Sequence, residues 1–341
     1  MKNIRRNSPY FLLAALLAAG GGVFARQITD MAGRTVSVPD VITRVIPYDY
    51  KTNLLLFPLA GEKMQAKAIS MNALMHSASM RYGGGEFAKL REVDTRNAEE
   101  VLKLKPEVIV VGSFTDDVGA IEGYAAFSEK VKIPLVVVDL ELMKLDTTML
   151  FLGHLLNRVG EASRCAAFIR AIYADVARLT KNPAAKRVYL ANDPNGLRTA
   201  PSAGNHARLF DIMKLSNVAQ LPPDAKGYAN VSIEQVLIWN PEYIFCVGEG
   251  EASPYRTILK SARWRTLAAT RQKQVFFVPC KPYSWFDMPP SVNRILGLIW
   301  FCKIFYNYPE EVAKEKVTTF YRIFYKHSLS DKEYAALYQW T

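Results

Sequence analysis

Two hydrophobic rhythms alternate along this chain. Residues 107–112, 133–138, 187–191, 242–248 and 274–278 are almost continuously apolar. Runs of that length and kind are strands buried on both faces, the pattern of parallel sheets covered by helices. Between them, apolar residues return at helical spacing. The spacing predicts helices over 51–59, 97–104, 122–131, 206–213 and 232–238, then over 289–306, 310–325 and 331–338. Strand and helix in alternation define an α/β architecture. Before the first core strand at 44–47, two short alternating runs flank Ala32-Gly33, which reads as a β-hairpin. A short strand is expected at 66–70.

In the middle of the chain the strand rhythm stops. From 142 to 179 the apolar positions keep helical spacing, through Leu150, Leu152, Leu155, Leu156 and Val159, past a break at Gly160, to Phe168, Ile172, Val176 and Leu179. The expectation is a long, rigid connecting helix over 142–182. It joins an N-terminal α/β lobe (26–141) to a C-terminal α/β lobe (183–341) that carries the terminal helices. An internal echo supports two lobes built alike. Ala98-Glu99-Glu100-Val101-Leu102-Lys103-Leu104-Lys105-Pro106-Glu107-Val108-Ile109-Val110 is answered by Ile233-Glu234-Gln235-Val236-Leu237-Ile238-Trp239-Asn240-Pro241-Glu242-Tyr243-Ile244-Phe245. Each is a helix, a proline stop and a buried strand ending in Val-Gly.

Composition adds an address. Residues 1–25 read as a cleaved signal peptide: Lys2, Arg5 and Arg6, an apolar run from Tyr10 to Ala19, then Val23-Phe24-Ala25 as the cleavage site. The apolar run is too short and glycine-rich for a membrane span, so the expected destination is the periplasm. The chain carries 43 basic and 32 acidic residues among 341. Without its first 25 residues it still has a net charge of +8, 40 basic against 32 acidic. That surplus favours anionic ligands or serves solubility. No basic run is interleaved with aromatics as in a nucleic-acid motif, which excludes that class. The four cysteines form no C-x-x-C pair. Cys246 and Cys280 each end a strand and are candidates for a disulfide, with buried free thiols as the alternative.

At these residues the chain resembles the ABC-importer substrate-binding proteins for iron-siderophores, haem and vitamin B12. The likeness covers the whole chain after the signal peptide. It rests on Ile28-Thr29-Asp30-Met31-Ala32-Gly33-Arg34, on the paired helix–Pro–strand blocks, and on Trp264-Arg265-Thr266-Leu267 followed by Val275-Phe276-Phe277-Val278-Pro279. Tyr283-Ser284-Trp285 and Pro289-Pro290-Ser291 complete it. The resemblance implies two lobes on a stiff helix, a ligand held in the groove between them, small opening motions and no catalysis. It also implies docking on a permease, with its ATPase, through one acid on each lobe; here these are Glu99 and Glu234. N-terminal charge complementing a helix dipole is the plainer reading of both.

In open α/β sheets ligands sit beyond the carboxyl ends of the strands. That rule nominates Tyr48, Arg198, Tyr228, Tyr255, Tyr283 and Trp285 for the groove. It also nominates the segment 71–85, which holds Met71, Met75, Met80, His76, Arg81, Tyr82 and three glycines. His76 is the one candidate metal ligand, since imidazole suits iron, nickel, copper or haem; a methionine-packed lid is the alternative. An arginine such as Arg198 holds a carboxylate or catecholate in bidentate fashion. His206 stands before a helix, as cap residue or ligand. Tyr283 and Trp285 suit flat chelates or a packed core. Many relatives in the resembled family carry an arginine where this chain has Met288.

The expected function is therefore a monomeric periplasmic receptor without a covalent cofactor. It would hand a small metal chelate, iron(III)-siderophore first, to an ABC permease. Haem or vitamin B12 is the alternative within the class. A periplasmic α/β hydrolase is the alternative outside it, and no G-x-S-x-G or H-E-x-x-H motif supports that.

Overall fold

The computed structural model describes residues 25–69, 84–202, 204–222, 227–248 and 253–339. Residues 1–24, all but the last of the expected signal peptide, and the 71–83 segment lie outside these residues.

Two parallel sheets organise the chain. The first contains β3 (Val45–Pro47), β6 (Val108–Ser113) and β7 (Leu135–Asp139) in the order β3-β6-β7. A parallel pair of β4 (Lys67–Ala68) and β5 (Glu92–Val93) adjoins it: Gln65 N–H donates to Val45 O at 3.1 Å. The second sheet contains β8 (Arg187–Ala191), β10 (Ser216–Asn217), β12 (Tyr243–Cys246) and β13 (Val275–Phe277), in the order β10-β8-β12-β13. An antiparallel pair, β9 (Arg198–Thr199) with β11 (Ala229–Asn230), lies beyond β8. The expected hairpin is β1 (Ala25–Thr29) with β2 (Thr35–Pro39). Gly33 turns it at a φ of +79°, a conformation that suits a residue without Cβ. Asp30 anchors it. One carboxylate oxygen accepts from the Ala32 and Arg34 N–H groups, and the other accepts from the Val137 N–H of β7 at 3.1 Å.

The apolar runs divide their side chains between cores, as the two-residue strand period requires. In β6, Val108 and Val110 join one large cluster while Ile109 and Val111 join a second. In β7, Val136 and Val138 face the first and Leu135 and Val137 the second. In the other sheet, Val188, Leu190 and Phe245 enter that same large cluster, whereas Tyr189, Ile244 and Cys246 enter a third. The large cluster is thus shared. Both sheets press one face onto a common body of helices, Tyr50–Ala60, Leu145–Leu155, Val159–Leu179, Arg294–Phe305 and Glu310–Phe324.

The connector differs from the single helix expected. It is a short 3-10 turn (Leu142–Lys144), then Leu145–Leu155, then Val159–Leu179. The break falls at Asn157, which takes a φ of +56°, and Gly160 is helical. A three-residue link folds one helix back on the other, and Gly153 lets them meet. Helical periodicity runs unchanged across such a link because both helices bury the same kind of stripe, so the pattern hid it. The 21-residue second helix spans about 31 Å. The predicted helix over 289–306 also shortens, to Arg294–Phe305, with both prolines in the preceding loop. Helix 206–213 is a 3-10 turn (Asn205–Ala207) continued by Arg208–Ile212.

The twin blocks are built alike in detail. Helix Ala98–Leu104 is capped by Asn97 and helix Ile233–Trp239 by Ser232, and each ends on a left-handed residue, Lys105 or Asn240. The glutamate after each proline ties back to the strand beside it. Glu107 accepts from the Thr43 and Arg44 N–H groups, and Glu242 from the Arg187 N–H.

All four cysteines are buried thiols, and Cys246 and Cys280 form no disulfide with one another. Burial pushes the thiols of Cys165 and Cys302 up to about 12, which suppresses the reactive thiolate. A thiol reagent should label none of the four in the native protein and all four after denaturation; rapid native labelling would contradict this packing. Gly153→Ala gives a second check. Alanine favours a helix over glycine by about 1 kcal/mol, but here the new Cβ would meet Ala162 Cβ at 2.2 Å. Overpacking of about 1–3 kcal/mol should win, and urea unfolding should show a net loss of stability.

Candidate functional site

The loops that follow the strands converge on one cleft. β3 leads into Tyr48, Asp49, Tyr50 and Lys51, β4 into Ile69, and β5 into Asp94, Thr95 and Arg96; β6 leads into Phe114 and β8 into Asn192 and Asp193. Arg198, His206, Tyr228, Met288 and Pro290 close the other side. The cleft encloses about 690 Å³, within the range of small-molecule sites. Its walls come from opposite sheets, so it is a groove between lobes at the carboxyl ends of their strands.

The first-lobe wall is aromatic and internally neutralised. Tyr48 packs edge-on against Tyr124 and Phe127, with ring centroids 5.2 and 5.1 Å away. Asp49 caps helix Tyr50–Ala60 and pairs with Lys51 at 3.1 Å. Burial alone would lower the Lys51 pKa, yet the Asp49 charge prevails and holds it above its ordinary value, so the ammonium stays charged. Arg96 pairs with Asp94 at 3.3 Å. Burial raises the Tyr50 phenol, which therefore remains a proton donor at neutral pH.

The second-lobe wall is a stack. The Arg198 guanidinium lies over the Tyr228 ring, 4.9 Å from its centroid. Tyr228 in turn stacks on His206 at 4.6 Å and 21°. The Asp287 carboxylate stands behind them, accepting from Tyr228 OH at 3.0 Å and holding His206 Nδ1. Burial first, then Asp287, push the Tyr228 phenol well above its ordinary value. Hydrogen bonds also join the two lobes: Ser291 Oγ donates to Lys51 O at 3.0 Å, and Arg208 Nε donates to Glu141 at 2.9 Å. The fully buried Arg294 donates to Leu140 O.

Of the residues nominated from the sequence, Tyr48, Arg198 and Tyr228 line the cleft. Met71, Met75, His76, Arg81 and Tyr82 lie outside the described residues. Three nominations are corrected. Tyr255 is not among the lining residues; it packs on the outer core of the second sheet, with its ring facing Phe277 at 6.5 Å. Tyr283 and Trp285 are buried in the shared core, beside Tyr325 and Tyr338. The physical reason is that the loop after β13 turns inward beneath the groove, so only Met288 and Pro290 from that stretch reach the cleft. The sequence reading passed over Asp94, Thr95 and Arg96, because a strand of two residues leaves no apolar run to announce the loop behind it. Asp287 was also missed; a lone carboxylate within an aromatic run was its one signal. Among the described residues no cluster of three or more metal-binding side chains occurs, and no helix is long and apolar enough to cross a membrane.

A cleft between two α/β lobes with a shared core is the architecture of a solute receptor, and the comparisons agree. The family model for periplasmic binding proteins matches residues 53–282. The chain belongs to this family, whose members bind solutes for ABC importers and are not enzymes. It is 27% identical to the molybdate-binding protein MolA of Haemophilus influenzae, over 93% of this chain and 96% of that one. An ABC transporter solute binding protein from Sulfurospirillum deleyianum has the same fold, with a TM-score of 0.81 at 21% identity over 92% of this chain and 99% of that one. Molybdate-bound MolA superposes with a TM-score of 0.68 at 21% identity, over 89% and 99% of the two chains.

Proposed function

We propose that this protein captures an anionic metal complex in the periplasm and delivers it to an ABC permease, with a ferric chelate of the siderophore kind as the first candidate. The observation that carries the choice is the size and lining of the cleft. At about 690 Å³ it exceeds what a tetrahedral oxyanion fills, and its tyrosines, Phe114, Met288 and Pro290 offer the broad apolar contact that an organic chelator needs. Arg198, Lys51 and Arg96 supply cations for the oxygen shell of the ligand. A free oxyanion is the second reading. It is favoured by the likeness to MolA and by Arg198 and His206 side by side on one wall. Haem and vitamin B12 remain within the same class. The docking surface we assign to Glu99 and Glu234. Both are exposed on the first turn of matching helices, and those helices follow loops that line the cleft. The protein then works as a monomer with one solute, one permease and its ATPase.

Titration of intrinsic fluorescence with ferric citrate, a ferric trihydroxamate, haem and molybdate tests the assignment. Saturable quenching by a ferric chelate is expected, and saturation by molybdate alone would move the assignment to the oxyanion. Arg198→Ala should weaken whichever anion binds by about ten- to a hundredfold, the worth of a charge-assisted hydrogen bond of about 1.5–3 kcal/mol. Unchanged affinity would remove Arg198 from the site. Glu99→Gln combined with Glu234→Gln should leave affinity in place yet cut uptake into cells about tenfold or more, equivalent to ~1.4 kcal/mol of docking energy. Normal uptake by the double variant would refute the docking role.

A further inference from the structure

Behind the second-lobe wall lies a carboxylate that the cleft itself does not expose. Asp287 is 2% exposed and is not a lining residue. Its Oδ2 serves both Tyr228 OH and His206 Nδ1, while Oδ1 has no hydrogen-bond partner among the described residues. A buried carboxylate oxygen without a donor costs stability, and native proteins keep few of them. The neighbourhood is costly altogether: Trp285 Nε1, Asn293 Oδ1 and Arg294 Nε are also buried without partners among the described residues. What this arrangement does secure is geometry. One acceptor oxygen fixes two rings at once, from the loop before helix Arg208–Ile212 and from the loop before β11. The Arg198 guanidinium rests on one of those rings.

We infer that Asp287 is a positioning residue: by accepting from both rings it locks the His206–Tyr228 stack, and through Tyr228 it seats Arg198 over the groove. The inference rests on the reading of the groove as the solute site, and it extends that reading from the residues that touch solute to the one that aims them. A tethered platform leaves Arg198 little side-chain freedom to lose when a ligand arrives, and that saving raises affinity. Arg294 is the competing explanation, because it is wholly buried and feels the Asp287 charge. Tyr228→Phe separates the two. It cuts the ring from Asp287 and leaves the Asp287 and Arg294 charges in place.

The test has a ligand-free arm and a binding arm. In the ligand-free protein, the Arg198 Nε–H resonance, assigned through Arg198→Lys, should be shifted upfield by the Tyr228 ring current. Both Asp287→Asn and Tyr228→Phe should collapse that shift. In the binding arm, with a ferric trihydroxamate and molybdate as probes, each variant should weaken binding about tenfold, and Arg198→Ala should cost markedly less in either background than alone, the non-additivity of residues acting as one unit. An unaltered Arg198 resonance in Tyr228→Phe overturns the proposal whatever solute is bound. Additive losses in the binding arm overturn it as well. If the unmodified protein binds neither probe, the solute reading fails, and the resonance arm still decides the role of Asp287. Should Asp287→Asn unfold through Arg294, Tyr228→Phe carries both arms.

Discussion

One shared apolar core determines how this molecule can behave. Alternate residues of β6 and β7 and of β8 and β12 point into the same cluster from opposite sides. The helices between them, Leu145–Leu155, Val159–Leu179 and Arg294–Phe305 among them, belong to both lobes at once. Separating the lobes would therefore expose packed apolar surface, at a cost of about 25 cal/mol per Å². A hinge made of a strand or two would impose no such cost. Such a core resists a change in the width of the groove.

That rigidity explains how polar groups are placed around the cleft. Lys51 and Arg96 each have an aspartate within two positions in sequence, which fixes them locally and holds down the net charge of the first wall. On the second wall Arg198 lies over an aromatic stack. Among the described residues the charge surplus of the chain is not concentrated in the groove, where Asp49, Asp94 and Asp193 offset Lys51, Arg96 and Arg198. If the solute is anionic, as proposed, long-range attraction and short-range recognition would be separate tasks in this protein. The first falls to the surface at large, the second to a few oriented groups.

The repeated helix–Pro–strand block ties architecture to transport. Each block closes with a left-handed residue, a proline and a glutamate that caps the adjoining strand. The same construction therefore recurs in both lobes. If the proposed docking role holds, a partner would meet two like surfaces built on the shared core.

Local order dictated most of the architecture. Continuous apolar runs can be stable only as strands covered on both faces, and the twin blocks could be read directly from Val101 and Val236, Pro106 and Pro241. The hairpin at Gly33 was equally plain, because a tight turn needs a residue free to take positive φ. Tertiary packing decided the rest. Helical periodicity is blind to a three-residue reversal, so the folding back at Asn157 depended on Gly153 and Ala162 meeting in space. An aromatic residue has the same composition whether it faces a ligand or a core. Trp285 and Tyr283 went inward because the loop after β13 turns into the core, whereas Tyr228 lines the groove from just before β11. Asp287 acquires meaning only once residues 206, 228 and 287 are brought together, since hydrogen bonds across such separations leave no trace in a linear pattern.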